Sequence, residues 1–179
     1  MKVIHFDECF TTTVGNKSED IKPGSLCGRY LNDHPISDEE MMALIKEHNL
    51  KPSLTESAFK NKTCYEPGTL LMRDGFLLMS FAKLNKNGRG EMTRDDYINC
   101  LNVLWKEIDK YHGETSVVIP VFGSNITHFE DSMLTQQELL DIIIASYKMN
   151  SRKINKPSRL IITCSKKDGF SLNKIGSFI

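Results

Sequence analysis

The chain has 179 residues, 40% hydrophobic and 26% charged, which fits a globular protein with room for one substantial core. Its 23 basic and 23 acidic residues cancel, so no overall positive field points to DNA or RNA, and little net charge opposes self-association, which leaves a homo-oligomer open. No apolar run approaches a membrane span, and the apolar part of Met1–Asp7 is too short for a signal peptide, so the expected compartment is the cytoplasm with no membrane partner.

In chain order, residues 2–6 predict a short strand. The polar stretch Asp7–Gly24, rich in Thr, Gly, Lys and Asp, predicts a long loop of the kind that carries function in compact domains. Ser37 with Glu40 predicts a capping box opening a helix that ends near Asn49, with Met41, Met42, Leu44 and Ile45 as its apolar side. Residues 52–67 read as irregular. A hairpin follows: strand Thr69–Met72, turn Arg73-Asp74-Gly75, strand Phe76–Ala82, since Asp-Gly between apolar runs is a strong hairpin signal. Asn85–Gly90 reads as a solvated polar loop, and Lys83, Lys86 and Arg89 read as solvated charges.

Thr93 predicts the cap of a second long helix reaching about His112, with Tyr97, Ile98, Leu101, Leu104, Trp105 and Ile108 on one face and Gly113 as its stop. Val117–Val121 predicts a buried strand. Thr135 with Glu138 predicts a second capping box and a helix apolar on more than one side. Arg159–Cys164 predicts the last strand, and Phe170, Leu172, Ile175 and Phe178 predict a short packed helix in the tail.

Cys9, Cys27, Cys64, Cys100 and Cys164 are odd in number and contain no CxxC pair, and Cys100 and Cys164 read as small core residues. His5, His34, His48, His112 and His128 show no ligand spacing with them, so neither a disulfide framework nor a metal site is expected, and no cofactor is called for. The order strand, helix, strand pair, helix, strand, helix, strand, with almost purely apolar strands, predicts an α/β fold: a three-layer αβα sandwich with a mixed sheet, in one domain spanning residues 1–179.

The buried strand at 117–121 breaks into a polar turn, Gly123-Ser124-Asn125. Ligands sit at the carboxyl ends of strands in α/β sheets, glycine admits close approach, and successive amides there make an anion-binding nest. The turn is thus a candidate phosphate loop for a nucleotide-like ligand; its plain alternative is chain reversal.

Four segments, in order, resemble the macro domain, and more narrowly the macro-like module of Thoeris antiphage effectors. The family's strand into Asn-Glu-x-Phe-Asp-Thr is Val3-Ile4-His5-Phe6 then Asp7-Glu8-Cys9-Phe10-Thr11-Thr12. Its Ser-Leu-His-Gly is Ser25-Leu26-Cys27-Gly28, and its Gly-Thr strand before an Asn-rich loop is Gly68-Thr69 through Lys86. Its Trp and Ile-Asp helix leading to Val-Val-Ile-Pro and a Gly-Ser-Gly-Ile-Thr-like turn is Trp105–Asp109 and then Val118–Thr127. The departures are Asp7 for asparagine, Thr11 for aspartate, Cys27 for histidine and Asn125 for the second glycine. By the same comparison, the chain reads as starting at the family's second strand, without the strand ending in Gly-Asp whose aspartate reads the adenine amino group.

The resemblance implies binding of an ADP-ribose derivative: ADP-ribose, cyclic ADP-ribose or an amino-acid-linked form, made from NAD by a TIR-domain enzyme after infection. It places the diphosphate on Gly123, Ser124, Asn125 and Ile126, flanked by Phe122, Thr127 and His128. It places the distal ribose against Asp7, Glu8, Phe10, Thr11, Thr12, Ser25 and Leu26, and the adenine side near Ser165. A helix N-terminus at Thr135 would favour the phosphates. His128 reads equally as a ligand contact or a surface histidine.

Three functions stay open: a binding module, as an immune receptor or a viral sponge; a hydrolase of ADP-ribose adducts with Asp7 and Glu8 as acid and base; and a protein-binding scaffold with a decayed pocket. The departure at Asp7 favours a binding module over an enzyme.

Overall fold

A computed structural model describes residues 1–123, 128–129 (main chain only), 134–166 and 170–177. Its elements run β1 (Lys2–Asp7), α1 (Leu26–Asp33), α2 (Asp38–Glu47), β2 (Leu70–Arg73), β3 (Phe76–Leu84), β4 (Gly90–Met92), α3 (Arg94–Tyr111), β5 (Val117–Pro120), β6 (His128–Phe129), α4 (Gln136–Met149) and β7 (Leu160–Thr163), with a 3-10 turn at Leu172–Lys174. The described strands form one mixed sheet in the order β6-β4-β3-β1-β5-β7, with β2 paired to the first half of β3. Strands β1, β3, β5 and β7 run parallel, so their carboxyl ends share one edge.

The architecture is the expected three-layer sandwich. Strand alternation sends Val3, Leu77, Met79, Val117 and Ile119 to one face, where Leu101, Leu104 and Trp105 of α3 and Leu139, Leu140 and Ile143 of α4 cover them. Ile4, Phe6, Leu71 and Leu78 go to the other face, under Tyr30 and Leu31 of α1 and Met41 and Ile45 of α2. Trp105 donates its indole N–H to Ser146 at 2.8 Å, so the largest core side chain is polar-satisfied.

The expected helix starts are all present. Ser37 with Glu40 and Thr135 with Glu138 form reciprocal capping boxes, and Thr93 accepts from the Asp96 amide at 3.0 Å. The hairpin turn carries positive φ at both Asp74 (50°) and Gly75 (79°), the geometry that Asp-Gly suits.

Several expectations need correction. Helix α1 and strand β4 were not expected. Ile98, placed on the apolar face of α3, is 41% exposed, and Met42, placed on that of α2, is 58% exposed. The tail is not a packed helix: Leu172 is 67% exposed around a three-residue turn, while Phe178 lies outside the described residues. Among the described strands β7 lies at the edge of the sheet, and Ile161 and Thr163 on it are exposed, so the described residues do not cover both of its faces.

Candidate functional site

The shared carboxyl edge of β1, β3, β5 and β7 opens into a crevice of about 870 Å3. Among the described residues its floor is His5 and Asp7 of β1, Phe81 and Ala82 of β3, Pro120 and Gly123 at the exit of β5, and Thr163 at the end of β7 with Cys164 and Ser165 after it. Its wall is the loop Asn16–Gly24, the first turn of α1 and Gly88–Gly90. A register shift between β1 and β3, where His5 faces Met79 but Asp7 faces Ala82, falls at this floor, and such bulges re-aim side chains.

Asp7 is 6% exposed and organises the start of the loop: its Oδ1 accepts from the Cys9 amide at 2.9 Å and the Thr11 amide at 3.1 Å. Burial pushes its carboxyl pKa up; the hydrogen bonds from Thr11 and Cys9 oppose that only in part. Burial likewise pushes the Cys9 thiol up to about 12 and Cys27 well above the usual thiol range, so neither is a thiolate nucleophile near neutrality.

The wall is held by backbone. Gly15 donates to the Ile21 carbonyl at 3.1 Å and Ile21 to the Thr13 carbonyl at 3.0 Å, so residues 13–21 close on themselves. Ser25 caps α1, accepting from the Gly28 amide at 2.9 Å and donating to the Lys22 carbonyl at 2.7 Å. That carbonyl lies 2.1 Å from where a Cβ on Gly28 would stand, so only glycine lets the wall reach α1. Gly88 lies under Glu19 in the same manner. Lys22, Arg29 and Arg89 line the crevice with Asp7, Glu19 and Asp20, mixing both signs of charge.

Asp7, Ser25, Leu26, Gly123 and Ser165 thus come together around the crevice. Glu8, Phe10, Thr11, Thr12 and Phe122 are not among its lining residues. The Glu8 carboxylate accepts from the Ser57 hydroxyl and, at 3.0 Å, from the Leu84 amide, tying β1 to residue 57 and the end of β3. It is 5% exposed, a structural clamp rather than an exposed acid or base. Phe10 packs against Phe6 and Tyr65 in the core, and Thr12 donates to Asp38. Phe122 is fully buried and its carbonyl accepts from Tyr97 at 3.3 Å, which anchors the chain just before Gly123 (φ 80°). Ser124, Asn125, Ile126 and Thr127 lie outside the described residues. His128 is described only as a main-chain partner of Glu91 in the β6–β4 pair.

Gln136, in the first turn of α4, was not anticipated. Its amide grips Ser165 from both sides, donating to the carbonyl at 2.8 Å and accepting from the amide at 2.8 Å. No local pattern announces such a pair 29 residues apart. Gln136→Leu is expected to cost about 1–2 kcal/mol of stability, and hydrogen exchange at the Ser165 amide should accelerate. Unchanged exchange there would show that the grip does not position the segment after β7. Arg89 and Gly88–Gly90, expected in a solvated loop, line the crevice instead, and Cys164, expected in the core, is at its edge. No group of three His, Cys, Asp or Glu among the described residues is arranged to hold a metal ion, and no helix there is long and apolar enough to cross a membrane.

Residues 1–165 match the family model described as Thoeris protein ThsA, Macro domain. The chain belongs to the ThsA macro-domain family. It is similar to the Thoeris protein ThsA of Bacillus amyloliquefaciens (strain Y2), with 28% identity over 181 residues, covering 96% of this chain and 59% of that protein. The chain therefore spans about three-fifths of the length of the curated relative it matches. The ThsA macro match ends at residue 165, and so do the described lining residues of the crevice, which all lie inside the matched segment.

Proposed function

We propose that this chain is a binding module for an ADP-ribose-derived nucleotide that acts as a signal in Thoeris-type antiphage defence. The observation that carries the reading is the crevice of about 870 Å3 at the carboxyl ends of parallel strands, in a chain of the ThsA macro-domain family. Its volume is in the range of small-molecule and cofactor sites, and its position is where α/β sheets take nucleotides. In this reading the turn opened by Gly123 takes the diphosphate. Asp7, Ser25 and Leu26 border the distal ribose, and Thr163 to Ser165 border the adenine side. The same reading takes residues 1–179 as one domain expected to unfold in a single cooperative transition, which is supported by two apolar layers closing on the same sheet.

Binding without turnover is favoured over hydrolysis. Glu8 has its carboxylate committed to Ser57 and Leu84, and Asp7 has one oxygen committed to two loop amides. Glu8→Gln keeps the acceptor oxygen, so the variant should fold and bind ADP-ribose within about twofold of the parent. A large loss of binding with retained folding would return Glu8 to the ligand site.

Calorimetric titration with ADP-ribose, cyclic ADP-ribose and an amino-acid-linked ADP-ribose, followed by chromatography of the mixtures, tests the proposal. Saturable heat with intact ligand recovered is the expected result. A cleaved product would make the chain a hydrolase, and no heat with any of the three would leave the scaffold reading. Assembly on ligand addition is expected of a receptor; a sponge would hold the ligand with no change in mass.

A further inference from the structure

We infer that His5 is a ligand-binding residue of the crevice, donating one hydrogen bond from a neutral imidazole to a diphosphate oxygen of the bound nucleotide. The inference rests on reading the crevice as a nucleotide site, and it adds a residue that neither the motif resemblance nor the phosphate turn singles out.

The geometry is that of a polar group kept in reserve. His5 lies at the bulge where β1 reaches the crevice and is among its lining residues. It stands edge-on to two buried rings, Phe81 at 5.5 Å (79°) and Phe122 at 5.6 Å (81°). Phe122 directly precedes Gly123, so the imidazole packs against the residue that leads into the turn proposed to take the diphosphate. Its Nδ1 is buried with no hydrogen-bond partner. With Nδ1 shut in and no acceptor there to take a proton, the ring places its proton on Nε2, the nitrogen left for the crevice. Burial lowers the ring's pKa to about 4, so the imidazole is neutral near pH 7. A buried polar side chain is ordinarily hydrogen-bonded, and one that is not calls for an explanation. A bound acceptor at Nε2 gives the ring one partner, while Nδ1 stays shut in as an unused acceptor. For packing alone, phenylalanine would fill this place between two aromatic rings without a desolvated nitrogen.

His5→Phe separates the roles, because it keeps the edge-on ring contacts and removes both nitrogens. The melting temperature is expected to be unchanged or higher. Affinity for ADP-ribose in calorimetry is expected to fall about tenfold, the worth of one well-made hydrogen bond. Nitrogen NMR of the wild-type ring, which needs no variant, should show a neutral Nε2–H form whose proton moves downfield on adding ADP-ribose. Wild-type binding with equal affinity in His5→Phe, or a ring signal that ADP-ribose leaves unmoved, would overturn the role of His5 while leaving the crevice a nucleotide site. Failure of the wild type to bind ADP-ribose or inorganic pyrophosphate would overturn both.

Discussion

Gly28→Ala is expected to destabilise the fold and weaken ligand binding together, against the direction that helix propensity alone would give. Alanine in place of glycine in a helix interior is worth up to about 1 kcal/mol in its favour. Here the new Cβ would stand 2.1 Å from the Lys22 carbonyl oxygen and 2.9 Å from its carbon. These are backbone atoms, so no rotamer change relieves the overlap. Overpacking of this kind costs about 1–3 kcal/mol, and the relief available is outward movement of residues 16–24, the wall of the crevice. A net loss of about 1–2 kcal/mol in denaturant unfolding should accompany a drop in ADP-ribose affinity of about tenfold or more. The Ser25 cap, which ties the same carbonyl to the helix start, would be strained by the same movement. An alanine variant as stable and as tightly binding as the parent would mean that this loop does not form the wall.

Asp7→Asn should act in the opposite sense. Asparagine keeps the Oδ1 acceptor for the Cys9 and Thr11 amides, so the loop start survives. It removes a carboxylate whose pKa burial raises, that is, a charge held at a cost in the folded state. The stability linked to a raised acid pKa is present below the unfolded value and is lost as pH rises through the folded one. The parent should therefore gain on the asparagine variant as pH falls from 7 towards the ordinary carboxylate range, while at pH 7 the variant is as stable or more so. Removing a negative charge from the crevice floor should also tighten an anionic ligand. At an effective dielectric of roughly 20, a like charge costs up to about 4 kcal/mol in contact and less with separation, so a gain of about tenfold is expected after screening. Weaker binding by the variant would show instead that the carboxylate accepts a hydrogen bond from a ligand hydroxyl, and it would revive Asp7 as a reacting group.

The parts of the fold legible in the sequence are those with local causes. Capping boxes at Ser37 and Thr135, the cap at Thr93, the Asp74-Gly75 turn and the apolar runs of β1, β3, β5 and β7 each announce themselves within a few residues. Helix α1 was missed because it spans only eight residues with a glycine inside, and its clearest signal, Ser25 as a cap, lacks a Glu or Gln three residues on. Strand β4 was missed because three residues carry no period, and its pairing with β3 and β6 is decided by tertiary packing. The site divides the same way. The turn at Gly123 and the loop at Asp7 were marked by strand ends, whereas the grip of Gln136 on Ser165 and the approach of Gly88 to Glu19 join distant segments. Glu8 and Phe10 follow Asp7 in the same motif but turn inward, because the Asp7 hydrogen bonds bend the chain and set Phe10 at φ 53° with its ring in the core. Adjacency in a motif does not imply a shared surface once the backbone leaves the extended form.

Amide NMR during titration with ADP-ribose reports whether a nucleotide diphosphate seats at the carboxyl edge of the parallel strands. Saturable shifts are expected, concentrated at Gly123, Ala82, Ser25 and Ser165, with the far ends of the same strands near Lys2 and Val117 unmoved. Shifts centred elsewhere on the molecule, or none at millimolar ligand, would contradict that seating.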